Sequence, residues 1–460
     1  MPVDAASWLA QHAAEYSVPH RVFPSAVPSR RRNRLVVVLN AHSGARRAKE
    51  LWQDIAEPLL RYALPPDVDY VDGDVLETRS PGDGERIGRS LRQEGILGRY
   101  GTLVLLVAGG DGTVHELLNG LLLDEECSVR PPAQPTQIVL LPTGTANALY
   151  YHSFPPESPP YPPDVPASPF YSLLSFLRGD TSATSPDRPA LARIALALNI
   201  LPPTAYPADT KCALTTVVSS AALHACLLYD AEELRTSHPG LERFKIAAQQ
   251  NVKRWWHGSL RLQGDVRVYS PARQAWVPAK SEGSDDDATV VSGPFAYLVT
   301  ALVSRFEQSF VVAPFRNKHH SLAPRPGEEE ATIDVVCIRP LRHAPTERLV
   351  REGREAEARE GFIQRVWDVT AGMYAGGKHV DARYPREELY ESEAAATDGV
   401  VEVYRCARAT WTPVASEEDD LKSRLVCLDG AVYNLGVHDG NSVPCLGIEG
   451  VKEGGAWMWS

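Results

Sequence analysis

The chain has 460 residues, 43% hydrophobic and 23% charged, an ordinary globular composition with length for two or three domains. Its net charge of −11 argues against a nucleic-acid binder and against broad adhesion to anionic lipid, leaving only a local patch for the latter. No apolar run reaches the roughly 18–20 residues of a membrane span, and the start Met1-Pro2-Val3-Asp4 does not read as a secretory signal.

Residues 4–16 suggest a short helix carrying Trp8 and Leu9, and Arg30-Arg31-Arg32 with Arg34 form a basic cluster before the first strand. Leu35–Leu39 is a continuous β-branched and leucine run, the mark of a buried strand. Asn40-Ala41-His42-Ser43-Gly44 follows, then a helix with Leu51, Trp52, Ile55, Leu59 and Leu60 at helical spacing. Val68–Val71 reads as a second strand and Gly84–Leu97 as a second helix. Leu103–Ala108 is a third strand and leads into Gly109-Gly110-Asp111-Gly112-Thr113. A helical pattern from Val114 to Leu122 leads out, with Thr113 as its expected cap. Gln137–Leu141 is a fourth strand, ending in Pro142-Thr143-Gly144-Thr145-Ala146-Asn147. Strand, loop and helix alternate, which predicts a parallel α/β sheet with helices on both faces and ligands beyond the carboxyl ends of its strands.

Eight prolines between Phe154 and Phe170 exclude helix and central strand there, and residues 180–189 read as a linker. The second half reads as mainly β. Its expected strands are Leu191–Leu201, Leu214–Ser219, Ser259–Leu262, Val266–Tyr269, Phe295–Leu302 and Ile333–Ile338, followed by one long helix over Thr346–Tyr374. The acidic run Gly283–Asp287 within 281–288 reads as a loop without calcium-loop spacing. Seven scattered cysteines without paired spacing suggest reduced thiols in an intracellular protein.

Chemistry concentrates in the glycine loop 109–113. A strand, a glycine turn and a helix N-terminus form an anion site, because glycine lets the backbone approach closely and the first helical N–H groups point outward. Asp111 is the odd member beside phosphate, and a metal contact or a general base toward a hydroxyl accounts for it. An ordinary tight turn is the bland alternative. The loop is neither a Walker A nor a dinucleotide fingerprint, since His115 stands at the third glycine position. His115-Glu116-Leu117-Leu118-Asn119 lacks the last ligand of a zinc helix, and no GxSxG elbow occurs.

Three ordered motifs resemble the diacylglycerol kinase catalytic domain family over roughly residues 33–150. They are Asn40-x-x-Ser43-Gly44, Gly109–Thr113 with Glu116 and Asn119-Gly120, and Leu141-Pro142-Thr143-Gly144-Thr145-x-Asn147. The ending Asn147-Ala148-Leu149 is similar to the sphingosine (long-chain base) kinase form. NAD kinases and phosphofructokinases share the loop type more distantly. Tyr229-Asp230 with Gly240-Leu241-Glu242-Arg243-Phe244, Val312-Ala313-Pro314-Phe315-Arg316 and Leu428-Asp429-Gly430 extend the resemblance. Ala41 stands where the family usually has Pro, and Ala431 where it places Glu.

The resemblance implies three regions. These are an extension over 1–30, a nucleotide-binding α/β domain over 31–187, and a mainly β lipid-binding domain over 188–460 whose C-terminal segment returns to the nucleotide site. It implies phosphoryl transfer from ATP, with Mg²⁺, to the primary hydroxyl of a sphingoid base. The alternatives are a diacylglycerol or other neutral lipid as acceptor, or a non-catalytic lipid- or nucleotide-binding protein. Asp111 is then the catalytic residue. Asn40, Ser43, Gly44, Gly110, Gly112, Thr113, Thr143, Gly144, Thr145 and Asn147 serve ATP phosphate or order its loops. Thr78 lines the nucleoside pocket or is a solvated loop residue. Glu116 reaches the same pocket or stabilises its helix N-terminus. Arg243 contacts nucleotide phosphate. Asp230 pairs with a substrate ammonium or caps a helix before Ala231-Glu232-Glu233-Leu234. Asp429 holds Mg²⁺. A cytoplasmic protein that visits membranes peripherally fits this reading.

Overall fold

A computed structural model of the chain describes residues 33–64, 68–70, 74–96, 98–131, 135–159, 168–178, 191–207, 210–238, 240, 242–279, 288–325, 328, 331–389, 397–414, 420–437 and 444–460. The segment 4–16, the cluster Arg30–Arg32, the linker 180–189, the acidic run Gly283–Asp287 and residues 160–167 of the proline-rich stretch lie outside them. The chain divides into two compact units. One holds residues up to Ile194 together with Glu453–Ser460, and the other holds Ala195–Lys452.

The first unit is built on β1 (Asn33–Asn40), β2 (Val68–Asp69), β3 (Val75–Thr78), β4 (Leu103–Gly109), β5 (Thr136–Pro142), β6 (Leu191–Arg193) and β21 (Ala456–Trp459). Its sheet runs β2-β1-β4-β5-β21-β6, with β3 also paired to β1. Pairing is parallel except between β21 and β6, so the edge is mixed where a wholly parallel sheet was expected. Leu35–Leu39 and Leu103–Ala108 are buried throughout, which is why they read as unbroken apolar runs. Among the described residues of the expected second strand, Val68–Asp69 pairs with β1, and β3 is an element the periodicity did not show.

Helical residues Ala48–Leu51 (α1) and Glu57–Ala63 (α2) flank a π turn over Trp52–Ala56. They are followed by α3 (Asp83–Ile96), α4 (Asp111–Leu122), α5 (Ala148–Ser153) and α6 (Tyr171–Arg178). Helices α3 and α4 touch backbone to backbone. A Cβ on Gly120 would sit 2.0 Å from the Glu85 carbonyl oxygen, and one on Gly88 2.4 Å from that of Leu117. Ser172 ties α6 to the sheet, accepting from the Leu140 N–H and donating to the Trp459 carbonyl.

The second unit carries two antiparallel sheets. The six-stranded sheet runs β13 (Ala288–Ser292), β10 (Gly258–Gln263), β17 (Arg408–Pro413), β20 (Leu446–Gly450), β7 (Ala197–Ile200) and β8 (Cys212–Thr215). The eight-stranded sheet runs β12 (Ala275–Pro278), β11 (Arg267–Ser270), β16 (Glu402–Cys406), β15 (Ile333–Ile338), β14 (Tyr297–Ala301), β9 (Val218–Ala221), β18 (Leu425–Leu428) and β19 (Ala431–Asn434). Its helices are α7 (Ala222–Glu233), α8 (Glu242–Asn251), α9 (Ala344–Arg351) and α10 (Glu355–Tyr374).

Three expectations change here. Leu191–Leu201 is two strands, β6 and β7, in different sheets. Leu214–Ser219 falls into β8 and β9 with a turn between them. Thr346–Tyr374 is two helices, because Gly353 takes a left-handed φ of +76° that a continuing helix cannot accommodate. The cysteines also depart from seven reduced thiols. Cys127 and Cys212 are disulfide-bonded, whereas Cys226, Cys337, Cys406, Cys427 and Cys445 are free. Pairing depends on distance in the fold, which spacing along the chain does not reveal.

A charged cluster is buried among the strands of the second unit. Arg339 donates to both oxygens of Glu402, at 2.7 and 2.9 Å, and the Tyr404 hydroxyl donates to Oε1 at 2.6 Å. Arg342 lies 3.7 Å away. Burial alone would raise the Glu402 pKa, but the Arg339 and Arg342 guanidinium groups outweigh it and hold the carboxyl at about 2. A depressed folded-state pKa contributes stability above the ordinary carboxyl pKa and loses it as pH falls through the folded value. Glu402→Gln is therefore expected to cost roughly 3 kcal/mol at pH 7. Urea unfolding should show the gap to the parent closing between about pH 4.5 and 2.

Candidate phosphate-binding site

In the first unit the carboxyl ends of β1, β3, β4 and β5 lie side by side, the crevice where open α/β sheets bind ligands. Three loops meet there closely enough that their backbones touch at glycines. A Cβ on Gly144 would stand 2.4 Å from the Gly110 Cα, and one on Gly44 2.3 Å from the Thr143 carbonyl oxygen. Ser43 is the next neighbour, its Oγ 3.4 Å from a Cβ on Gly110. By contrast, a Cβ on Gly112 would meet nothing within 4 Å, so the first turn of α4 faces open space.

Side chains hold the loops in register. Asn40 donates from Nδ2 to the Thr113 Oγ1 at 2.9 Å and accepts from the His42 N–H at 3.1 Å. Thr113 is not the helix cap expected of it. Helix α4 begins two residues earlier at Asp111, with Gly110 as an extended N-cap, and Thr113 is its third residue. Asn147, left-handed at φ +53°, accepts from the Gly144 N–H at 2.8 Å and donates to the Gly144 carbonyl at 3.0 Å. It thus orders its own loop, on which Thr145 is exposed. Asp111 accepts from the Ala148 N–H at 2.9 Å through Oδ2 and from the Leu149 N–H at 3.0 Å through Oδ1, so it is fixed by the start of α5. Glu116 turns to a neighbouring helix. Its oxygens accept from the Gly82 and Gly84 N–H groups at the start of α3.

At the carboxyl ends of β3 and β5, the buried hydroxyls of Thr78 and Thr143 have no hydrogen-bond partner among the described residues. An orphaned hydroxyl is costly unless a ligand or water completes it. Thr78 lies in register with Asn40, which places it at the same sheet end and not in a solvated loop.

The second unit positions the other three residues. Asp230 is the ninth residue of α7, so it does not cap a helix. It is 5% exposed, and its Oδ2 accepts from the Lys422 Nζ at 2.6 Å and the Asn251 Nδ2 at 2.5 Å. Arg243, at the start of α8, is buried over the Phe244 ring. Its Nε has no hydrogen-bond partner among the described residues, and burial, then Arg235, lower its pKa. Such a guanidinium is a receptor for an anion. Asp429 follows β18 in a left-handed conformation, φ +48°. Its Oδ2 accepts from the Thr216 N–H at 2.6 Å and the Thr216 hydroxyl at 3.1 Å. Its Oδ1 accepts from the Val217 and Val218 N–H groups at 2.9 and 2.8 Å.

Residues 34–162 match the diacylglycerol kinase catalytic domain. Two curated relatives align with part of the chain. Sphingoid long chain base kinase 4 of Schizosaccharomyces pombe is 30% identical over 27% of this chain and 24% of its own length. Sphingosine kinase 1 of Homo sapiens is 30% identical over 25% of this chain and 26% of its own length. The chain thus spans about a quarter of the length of the curated relatives it matches. A solved structure from Bacillus anthracis, described provisionally as a diacylglycerol kinase, covers 94% of this chain and 98% of its own at 13% identity and a TM-score of 0.42.

Within the matched segment 34–162, the structure brings together Asn40, Ser43, Gly44, Thr78, Gly110, Asp111, Gly112, Thr113, Thr143, Gly144, Thr145 and Asn147. Glu116 serves the α3–α4 contact. The Mg²⁺ expected at Asp429 does not fit the residues there. Four donors already occupy both carboxylate oxygens, and Ala431 adds no ligand. Among the described residues, no group of three His, Cys, Asp or Glu side chains could hold a metal ion. Sequence reasoning missed Lys422 and Asn251, the partners of Asp230, and no local spacing announces either.

Proposed function

We propose that the protein is an ATP-dependent kinase that phosphorylates the primary hydroxyl of a long-chain lipid. The observation that carries this is the glycine-only contact of the three loops at the strand ends, in a segment matching a lipid-kinase catalytic domain. The backbone N–H groups of loops 43–44, 110–113 and 144–145, other than those of Ser43, Thr113 and Gly144 that already donate within the protein, cradle the phosphates, and Thr78 and Thr143 offer their unused hydroxyls to the nucleotide. Arg243 is assigned a phosphate, which satisfies a buried cation.

Asp111 accepts the proton of the attacking hydroxyl and orients it. Two N–H donors hold its carboxylate in place, which suits a reaction dominated by positioning and charge. The names of the curated relatives support a sphingoid base as acceptor. The Lys422–Asp230 pair favours a second reading, a neutral lipid. In both, the protein meets its substrate at a membrane surface. Among the described residues no helix is long and apolar enough to cross one.

The test is transfer of label from ATP to sphinganine, diacylglycerol and ceramide, with Asp111→Asn alongside. Label in one lipid, reduced about 100-fold or more in the variant, is the expected result. No label in any lipid while ATP still binds would overturn the kinase reading in favour of a non-catalytic binding protein.

A further inference from the structure

The loop that supplies Ser43 and Gly44 goes on to an arginine with a strained backbone. Arg46 has φ +61°, in the left-handed region, where an L side chain is crowded and glycine is not. Asparagine and aspartate ease that conformation by bonding locally, and arginine has no such device. The stretch 46–49 holds three basic residues, and two of them are paired. Arg47 lies 2.7 Å from Glu50, and the Lys49 Nζ lies 2.9 Å from Glu77. The Arg46 side chain is exposed and has no hydrogen-bond or ion-pair partner among the described residues.

The backbone keeps Arg46 at the glycine site. The Ser43 N–H donates to the Asn40 carbonyl at 3.2 Å, and the Arg46 N–H donates to the Ser43 carbonyl at 2.9 Å. Two successive turns therefore hold residue 46 near the carboxyl end of β1, its Cα within about 7 Å of that of Ser43. Lys49 reaches Glu77, the neighbour of Thr78 in β3, so α1 begins beside the same strand ends. An arginine side chain is long enough to cross from there to loops 43–44 and 110–113. A polyphosphate at those loops meets backbone N–H groups, which carry only partial charge. A guanidinium adds charge-assisted, bidentate hydrogen bonds that backbone cannot supply.

We infer that Arg46 binds the phosphate chain of the nucleotide, and that this contact offsets the strain of an arginine in a left-handed position. Arg46 stands outside the motif Asn40-x-x-Ser43-Gly44, and every residue involved belongs to the first unit. This role rests on the phosphate-site reading above and adds a cation to it.

The experiment titrates ATP, adenosine and inorganic tripolyphosphate calorimetrically into the parent protein, Arg46→Gly, Arg46→Lys and Arg47→Gln, with thermal unfolding of each. Arg46→Gly removes the guanidinium and relieves the backbone. Its Tm should equal or exceed the parent's, while its ATP affinity falls roughly tenfold or more. Adenosine affinity should hold, because the loss falls on phosphate. Arg46→Lys keeps a charge without the planar fork and should lie between parent and glycine variant. Arg47→Gln removes a guanidinium already held by Glu50 and should bind ATP as the parent does. A merely solvated Arg46 would show the same Tm in the glycine variant with ATP affinity unchanged. That result, or a fall in Tm marking a structural residue, overturns the inference and leaves the kinase reading intact. If the parent binds no ATP, the kinase reading fails and tripolyphosphate decides. Binding that Arg46→Gly loses supports an anion receptor at Arg46, and binding equal in both proteins, or absent from the parent, sinks it.

Discussion

Gly144→Ala is expected to reduce phosphoryl transfer by about 100-fold or more while the chain still folds. The added Cβ would lie 2.4 Å from the Gly110 Cα and 2.8 Å from the Asn147 Oδ1. Backbone cannot yield at such distances as the end of a flexible side chain can, so loops 109–113 and 143–147 must part by roughly an ångström, and a misplacement of that size at a phosphate costs about two orders of magnitude. The Asn147 bonds to Gly144 are strained in the same movement. Gly112→Ala is the contrasting variant. Its Cβ meets no protein atom within 4 Å, and alanine suits a helix better than glycine, so stability should hold or rise by up to about 1 kcal/mol. If the space beside Gly112 receives phosphate, that methyl weakens ATP binding alone. Calorimetric titration with ATP and thermal unfolding separate the two effects. ATP affinity and turnover within about threefold of the parent for Gly144→Ala would place the nucleotide elsewhere.

Strands buried on both faces were legible because burial leaves a continuous apolar run, as in Leu35–Leu39, Leu103–Ala108 and Gln137–Leu141. The short, partly exposed β3 left no such trace, and Thr78 consequently looked like a loop residue. The glycine loops were legible because close backbone approach demands glycine wherever it occurs. The start of α4 was misplaced because Thr113 is a good N-cap residue by type, whereas the chain uses extended Gly110 and engages the Thr113 hydroxyl with Asn40. Roles that depend on distant partners were not legible at all. Asp230 meets Lys422 across 192 positions and Asp429 meets Thr216 across 213. An aspartate awaiting a ligand and one already satisfied look alike until those partners are known.

Asp429 separates these two possibilities in a single substitution. Asp429→Asn is expected to lower stability by about 3 kcal/mol, because three backbone N–H groups and a hydroxyl converge on its carboxylate. Asparagine adopts the left-handed conformation at φ +48° as readily as aspartate, so backbone preference does not enter. It does replace one acceptor oxygen with an amide that donates, and that amide must face N–H groups of residues 216–218 left without a partner. A loss of this size in a unit of this length lowers Tm by roughly 6–10 °C. A metal ligand would behave otherwise. Its replacement would leave Tm unchanged without metal and would raise the Mg²⁺ concentration needed for half-maximal turnover. Thermal unfolding with and without a chelator, beside Mg²⁺ titration of activity, reads both quantities. A large drop in Tm that the chelator does not alter assigns Asp429 to joining β18 to the β8–β9 turn. An unchanged Tm with a shifted Mg²⁺ requirement would return it to the metal and show that its N–H partners yield when the ion arrives.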